Sequence, residues 1–199
     1  MPGDFLKPES IDWAFKHICK FGDTDIFPVP FEYELISYNW SKVKAEIEKI
    51  DLTNYATRSF QLFFVLKQYG GYRPAIQLDP IDSIIYTALA YEAAPIIEKK
   101  RIPKKKKIAC SYRLDIKKDG VLFQKNNGWD DFHNQSRKLA LSKKYNFIVI
   151  ADIADFYNHV SHHRIRNALE DAGISEIRAK NIENFFLNLT NSQSRGIPI

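Results

Sequence analysis

The sequence predicts an α+β protein in which helices outnumber strands, and three observations carry that reading. Several stretches place apolar residues at helical spacing behind a capping residue, with Ser10, Asp79, Ser161 and Ser175 at their heads. Phe60 to Leu66 is a bulky apolar run of strand type, and Gln68-Tyr-Gly-Gly-Tyr72 supplies turn residues before an alternating return over Arg73 to Leu78. Phe147-Ile-Val-Ile-Ala-Asp152 is a second short apolar run, which ends on a carboxylate.

The elements follow in order. Ser10 to Cys19 reads as a short helix with Ser10 as N-cap and Ile11, Ala14, Phe15 and Ile18 on one face. Asp23 to Pro30 is an extended, proline-punctuated connection, and a helical region from about Phe31 to Ile50 is interrupted near Ser37 to Asn39. The hairpin of residues 60–78 leads to a helix with Asp79 as N-cap, Pro80 at the first position and Asp82 in an acidic first turn. It bends or ends at Pro95. Residues 99–128 are basic and irregular, with short strands predicted at Ile108 to Leu114 and Val121 to Gln124. Asp130 or Asp131 caps a helix reaching about Lys144. The strand Phe147 to Asp152 follows, and two helices headed by Ser161 and Ser175 end near Gly173 and Thr190. Three segments result: a helical N-terminal region (1–59), a lobe built on the hairpin (60–144) and the start of a mixed lobe (145–199).

The chain of 199 residues is long enough for one large domain or two small lobes, and its 45% hydrophobic content supports a core dominated by aromatics. A net charge of +5 suits a polyanionic partner. The charge is uneven, since seven of the nine residues from Lys99 to Lys107 are Lys or Arg. Cys19 and Cys110 have no zinc-ligand spacing and read as buried or reduced thiols of a cytoplasmic protein. No secretory signal is visible at Met1-Pro-Gly-Asp, and the apolar stretch Ile81 to Ile97 carries Asp82 and Glu92, so it reads as a core helix and not a membrane span. His159, His162 and His163 lack partners at ligand spacing and read as surface or phosphate-facing residues.

Transfer of a nucleotide to a growing strand uses two metal ions about 4 Å apart. Mg²⁺ is held by one or two carboxylates together with substrate phosphates. A carboxylate at the end of a rigid apolar strand meets that need. Asp152-Ile-Ala-Asp155-Phe-Tyr157 resembles the first catalytic motif of reverse transcriptases, the RNA-directed DNA polymerases. The resemblance implies that Asp152 binds Mg²⁺ or Mn²⁺, that the Ile153 carbonyl assists, and that Tyr157 rejects a ribose 2′-hydroxyl. Asp155 falls on the substrate side of that motif and is equally readable as a local turn-forming carboxylate.

Other segments fit the same family. Lys67-Gln-Tyr-Gly-Gly-Tyr-Arg73-Pro74 is similar to its fingers hairpin, in which a Lys and an Arg grip the incoming triphosphate. Arg suits that role because its guanidinium binds phosphate oxygens in a fork. Ser111-Tyr-Arg113 resembles a template-contacting element in shortened form, and Gly196-Ile-Pro198 matches the start of the Gly-x-Pro-x-Gly motif. Lys104, Lys105, Lys106 and Lys107 read either as tracking a nucleic-acid backbone or as a solvated loop. The implied fold is a right-hand polymerase fragment, with fingers and part of a palm. The implied substrates are dNTPs, the template an RNA or noncoding RNA, and the product DNA.

Phe21-Gly-Asp-Thr-Asp-Ile-Phe-Pro-Val-Pro-Phe-Glu32 resembles the N-terminal part of bacterial reverse transcriptases of phage defence and abortive infection. The Tyr/Phe-x-Asp-Asp hairpin of the family does not occur in these 199 residues. The expectation is therefore that they do not extend a primer alone. Unpaired strand edges would favour homo-oligomers. Two alternatives remain at this point: a non-catalytic nucleic-acid-binding module of the same fold, or a template-independent or protein-primed polymerase.

Overall fold

The computed structural model describes residues 3–24, 26–66, 70–109, 112–125, 128–191 and 193–197, with Arg73 described by its backbone alone. Among the described residues the chain is mixed helix and sheet, with eight α-helices and one two-stranded antiparallel sheet.

Helix α1 (Pro8–Phe21) starts earlier than its predicted cap. Pro8 takes the first helical position behind Lys7, which suits a residue with no N–H to satisfy. Ser10 is not the cap. It lies inside the helix, fully buried, and its hydroxyl has no partner. Helices α2 (Glu32–Tyr38) and α3 (Trp40–Ile47) meet at Asn39, where the interruption is predicted. Trp40 stacks on Phe15 of α1 at 4.0 Å between ring centroids.

Strands β1 (Gln61–Leu66) and β2 (Tyr72–Gln77) form the predicted hairpin, in a register that pairs Leu66 with Tyr72 and Gln61 with Gln77. Gly70 and Gly71 both have positive φ, the backbone that a tight turn between twisted strands requires. Helix α4 (Pro80–Lys100) begins as predicted, with the Asp79 carboxylate accepting the Ile81 N–H at 2.9 Å. It does not end at Pro95 but runs on to Lys100, because α1 packs along α4 and holds it. The strands predicted within 108–124 shrink to a single bridge between Leu114 and Phe123. The loop beyond that bridge is fixed from outside. Trp13 Nε1 donates to the Lys117 carbonyl at 2.7 Å, and the His17 ring bonds the Gly120 carbonyl at 2.6 Å.

Helix α5 (Trp129–Ala140) is followed by an irregular segment where the strand Phe147 to Asp152 is predicted. That strand does not form. A strand needs a neighbour for its backbone N–H and C=O groups, and no described residue pairs with this one. The one-turn helix α6 (Phe156–His159) precedes α7 (His162–Ala172) and α8 (Glu176–Leu189). Ser161 and Ser175 cap the last two as predicted, and Gly173 ends α7 in the left-handed conformation.

One apolar cluster draws on all three predicted segments, including Ile18, Ile85 and Phe186. The boundaries near 59 and 144 therefore do not separate independent cores. An ionic clamp ties the chain's beginning to its later helices. Arg178 of α8 reaches Asp4 at 2.9 Å and Glu92 of α4 at 3.1 Å, while Asn181 donates to Asp4 at 2.7 Å. No helix among the described residues is long and apolar enough to cross a membrane.

Candidate active site

A cleft of about 900 Å³ opens between the hairpin and the segment that follows the apolar run at 147–150. Tyr72 and Pro74 of β2 line one side. The continuous stretch Ala151 to Asn158 lines the other, bringing Asp152, Ile153, Asp155 and Tyr157 to the same space. Tyr72 and Pro74 are thus adjacent in three dimensions to residues 152–157, although about 80 residues apart in the chain.

The carboxylate side of this cleft is a turn and not a sheet edge. Asp155 has φ 49°, in the left-handed region that Asp tolerates better than most residues. It stands at the N-cap of α6, and its carbonyl bonds the His159 ring at 2.9 Å. Both Asp152 and Asp155 are exposed. Tyr157 is 48% exposed, and its ring stands edge-on to Phe156 at 5.3 Å.

Behind the turn, residues 194–197 act as a brace. The Ile197 N–H donates to the Tyr157 carbonyl at 2.9 Å, and the Gly196 N–H to the Val160 carbonyl at 2.9 Å. The His162 N–H donates to the Ser194 carbonyl at 3.1 Å. The start of the Gly-x-Pro segment therefore supports the aromatic of the first motif directly. His162 is not a surface or phosphate-facing residue. It is 1% exposed, its Nε2 donates to the Gly196 carbonyl at 2.5 Å, and its ring lies 5.7 Å from Phe186. His163 is exposed and pairs with Glu183 at 3.5 Å.

The other predicted site residues divide sharply. Lys67 and Pro198 lie outside the described residues, as does the Arg73 side chain, while the Arg73 backbone pairs with Val65 in the hairpin. Lys104 to Lys106 form an exposed single turn of 3-10 helix, and Lys107 follows in the left-handed conformation. Arg113 does not face a template. It is 5% exposed, pairs with Glu98 of α4 and donates to the Ile102 carbonyl at 2.7 Å. Arg101 also pairs with Glu98, at 3.4 Å, so these two arginines are engaged with α4 while Lys104 to Lys106 stay exposed.

Two acidic residues take surroundings that a reading of the sequence does not give. Asp82 is 1% exposed and accepts hydrogen bonds from the Tyr55 hydroxyl and, at 2.7 Å, from the Arg58 N–H. Burial pushes its carboxyl above the ordinary range, opposed by those hydrogen bonds. Its spacing to Ile85 and Leu89 is the signal that could have placed it on the apolar face. Asp23 accepts from the Tyr33 hydroxyl at 3.3 Å, its other carboxylate oxygen is buried without a partner, and burial raises its carboxyl too. A second cavity of about 310 Å³, lined by Asp23, Gln77, Tyr86 and Ile197 among others, also touches Tyr157, which therefore separates two spaces.

No group of three or more His, Cys, Asp or Glu residues among those described is placed to hold a metal ion. Asp152 and Asp155 are two carboxylates and do not form such a group. Comparison with protein-family models and with curated proteins gives no match to this chain.

Proposed function

We propose that this chain provides the fingers and the first carboxylate segment of a reverse-transcriptase-like nucleotidyltransferase, an RNA-directed DNA polymerase that uses dNTPs. The observation that carries the reading is the shared cleft, with hairpin residues Tyr72 and Pro74 across from Asp152, Asp155 and Tyr157. In the proposed reaction the 3′-oxygen of the growing DNA forms a bond to the α-phosphorus. The bond from that phosphorus to the bridging oxygen breaks, and pyrophosphate leaves. Lys67 and Arg73 are assigned to the triphosphate, Tyr157 to the sugar, and Asp152, with the Ile153 carbonyl, to a Mg²⁺ or Mn²⁺ ion. That ion supplies charge stabilisation at the phosphates when bound. Asp155 shapes the turn that presents Tyr157. An RNA template and a role in bacterial antiphage defence rest on the family resemblance of residues 21–32 and 60–199, and a cytoplasmic setting on the cysteine usage.

A second reading is a nucleic-acid-binding module of the same ancestry without chemistry. It draws on the absence of a three-carboxylate group among the described residues and on the unpaired state of residues 147–150. Titration with dATP and ATP in Mg²⁺ separates the two. The catalytic reading expects metal-dependent dATP binding, lost in Asp152→Asn, with Tyr157→Ala raising ATP affinity toward that of dATP. Oligonucleotide binding with no nucleotide binding, and no effect of Asp152→Asn, would leave only the second reading.

A further inference from the structure

Helix α5 buries none of its residues, and eleven of its twelve are exposed. It nevertheless carries Trp129 and Phe132, at 60% and 39% exposure, with Leu139 at 47%. The Trp129 ring lies 5.6 Å from Phe132 and 6.2 Å from His133. Spacings of three and four residues put these rings on one side of the helix. An aromatic group this open has a π face available to a ligand.

The surroundings are basic. The Gln135 side chain donates to the Lys107 carbonyl at 3.0 Å, which ties the lysine turn to α5. Lys104 is held in turn by Gln124 at 3.2 Å. Lys104, Lys105 and Lys106 are exposed there, Arg137 and Lys138 occupy the last turn of α5, and Lys143 and Lys144 follow it. The opposing charges are Asp130 and Asp131 in the first turn, and the Asp131 carboxylate accepts the Gly128 N–H at 3.2 Å.

We infer that α5 and the lysine turn form a binding surface for single-stranded nucleic acid, with Trp129 and Phe132 as a stacking platform and the lysines following the backbone. Stacked rings beside a cationic track suit unpaired bases, whose faces are open, and not a duplex, whose bases cover one another. A lipid surface fits less well, because His133 and Ser136 interrupt the apolar side of α5. The surface is separate from the cleft and involves none of its residues. It deepens the nucleic-acid reading but does not depend on catalysis.

Trp13 is 6% exposed and Trp40 is packed on Phe15, so Trp129 is the tryptophan most open to quenching by a bound base. The test is titration of the full chain with a labelled twelve-nucleotide oligo(U), read by tryptophan fluorescence and by anisotropy. Quenching on binding is expected, with Trp129→Ala weakening affinity about tenfold or more at an unchanged circular dichroism spectrum. Trp129→Phe should keep most of the affinity and lose the quenching. Replacing Lys104, Lys105 and Lys106 with Glu should weaken binding and reduce the slope of log K against log salt by about 2. Unchanged affinity in Trp129→Ala, equal affinity for a duplex of the same length, or preference for phosphatidylserine-containing vesicles over the oligonucleotide would each overturn the assignment. The dATP titration of Asp152→Asn reports on the cleft alone. Oligonucleotide binding that depends on Trp129 without any dATP binding would leave this surface standing and remove the catalytic reading.

Discussion

Two apolar runs of similar composition meet opposite fates in this molecule. Ile84, Ile85 and Ala88 of α4 are fully buried, whereas Phe147, Val149 and Ile150 are 88%, 89% and 92% exposed. The difference lies in the backbone. A helix bonds its own amides and asks its neighbours only for a face to pack on, while a strand depends on another strand for every ladder bond. The helical half of the protein is settled by local signals, and the cleft-lining half is not. The segment that delivers Asp152 is therefore exposed, while its continuation at Tyr157, Val160 and His162 is bonded to residues 194–197.

The contrast can be broken most severely in the core. Ile85→Ala should cost about 3–4 kcal/mol, read by urea denaturation, because it opens a cavity where the side chain has no exposure. A loss below about 1 kcal/mol would mean that α4 is not the packing centre. Arg113→Ala comes next, at about 2 kcal/mol, because Glu98 loses its most buried partner and retains Arg101 and the Leu114 N–H. If stability held and only oligonucleotide binding fell, Arg113 would be a contact residue after all.

Gly120→Ala should cost about 1–2 kcal/mol, since φ is 88° and a Cβ would lie 3.1 Å from the His17 backbone. Its measurement tests whether α1 holds the 117–120 loop as closely as the hydrogen bonds indicate. Asp23 gives a pH signature. Burial raises its folded-state carboxyl, so its contribution is most favourable in acid and is lost as pH rises through the raised value. Asp23→Asn does not titrate. The stability of the unsubstituted chain relative to Asp23→Asn should therefore fall as pH rises above the ordinary carboxylate range of about 4, and a flat difference would remove the shift. The smallest effect is expected at Ile150→Ala, within about 0.5 kcal/mol, because that side chain is almost fully exposed.

The parts legible in the sequence are those whose cause is local. Ser161 and Ser175 head α7 and α8 because each hydroxyl accepts an N–H three residues on, at 3.4 Å in both cases. The Gly70-Gly71 turn sets the hairpin for the same kind of reason. The site motifs were legible as a list of residues, and the cleft joins two of them. Three of the misses involve distant partners. The Gly196 carbonyl that claims His162 is 34 residues away, Glu98 lies 15 residues before Arg113, and the neighbour that a strand at 147–152 requires is not among the described residues. Residue type and spacing carry no trace of such partners. Ser10 failed for a different reason, since Pro8 outcompetes it as a helix start.

The most direct test of the central claim is Mn²⁺-induced line broadening in the amide NMR spectrum of the full chain, recorded with and without dATP. The account predicts that Mn²⁺ together with dATP broadens resonances of residues 151–158 and of Tyr72, that Mn²⁺ alone does so far less, and that Asp152→Asn abolishes the effect. Broadening that ignores dATP, or that survives Asp152→Asn, would contradict a nucleotide-binding role for the cleft.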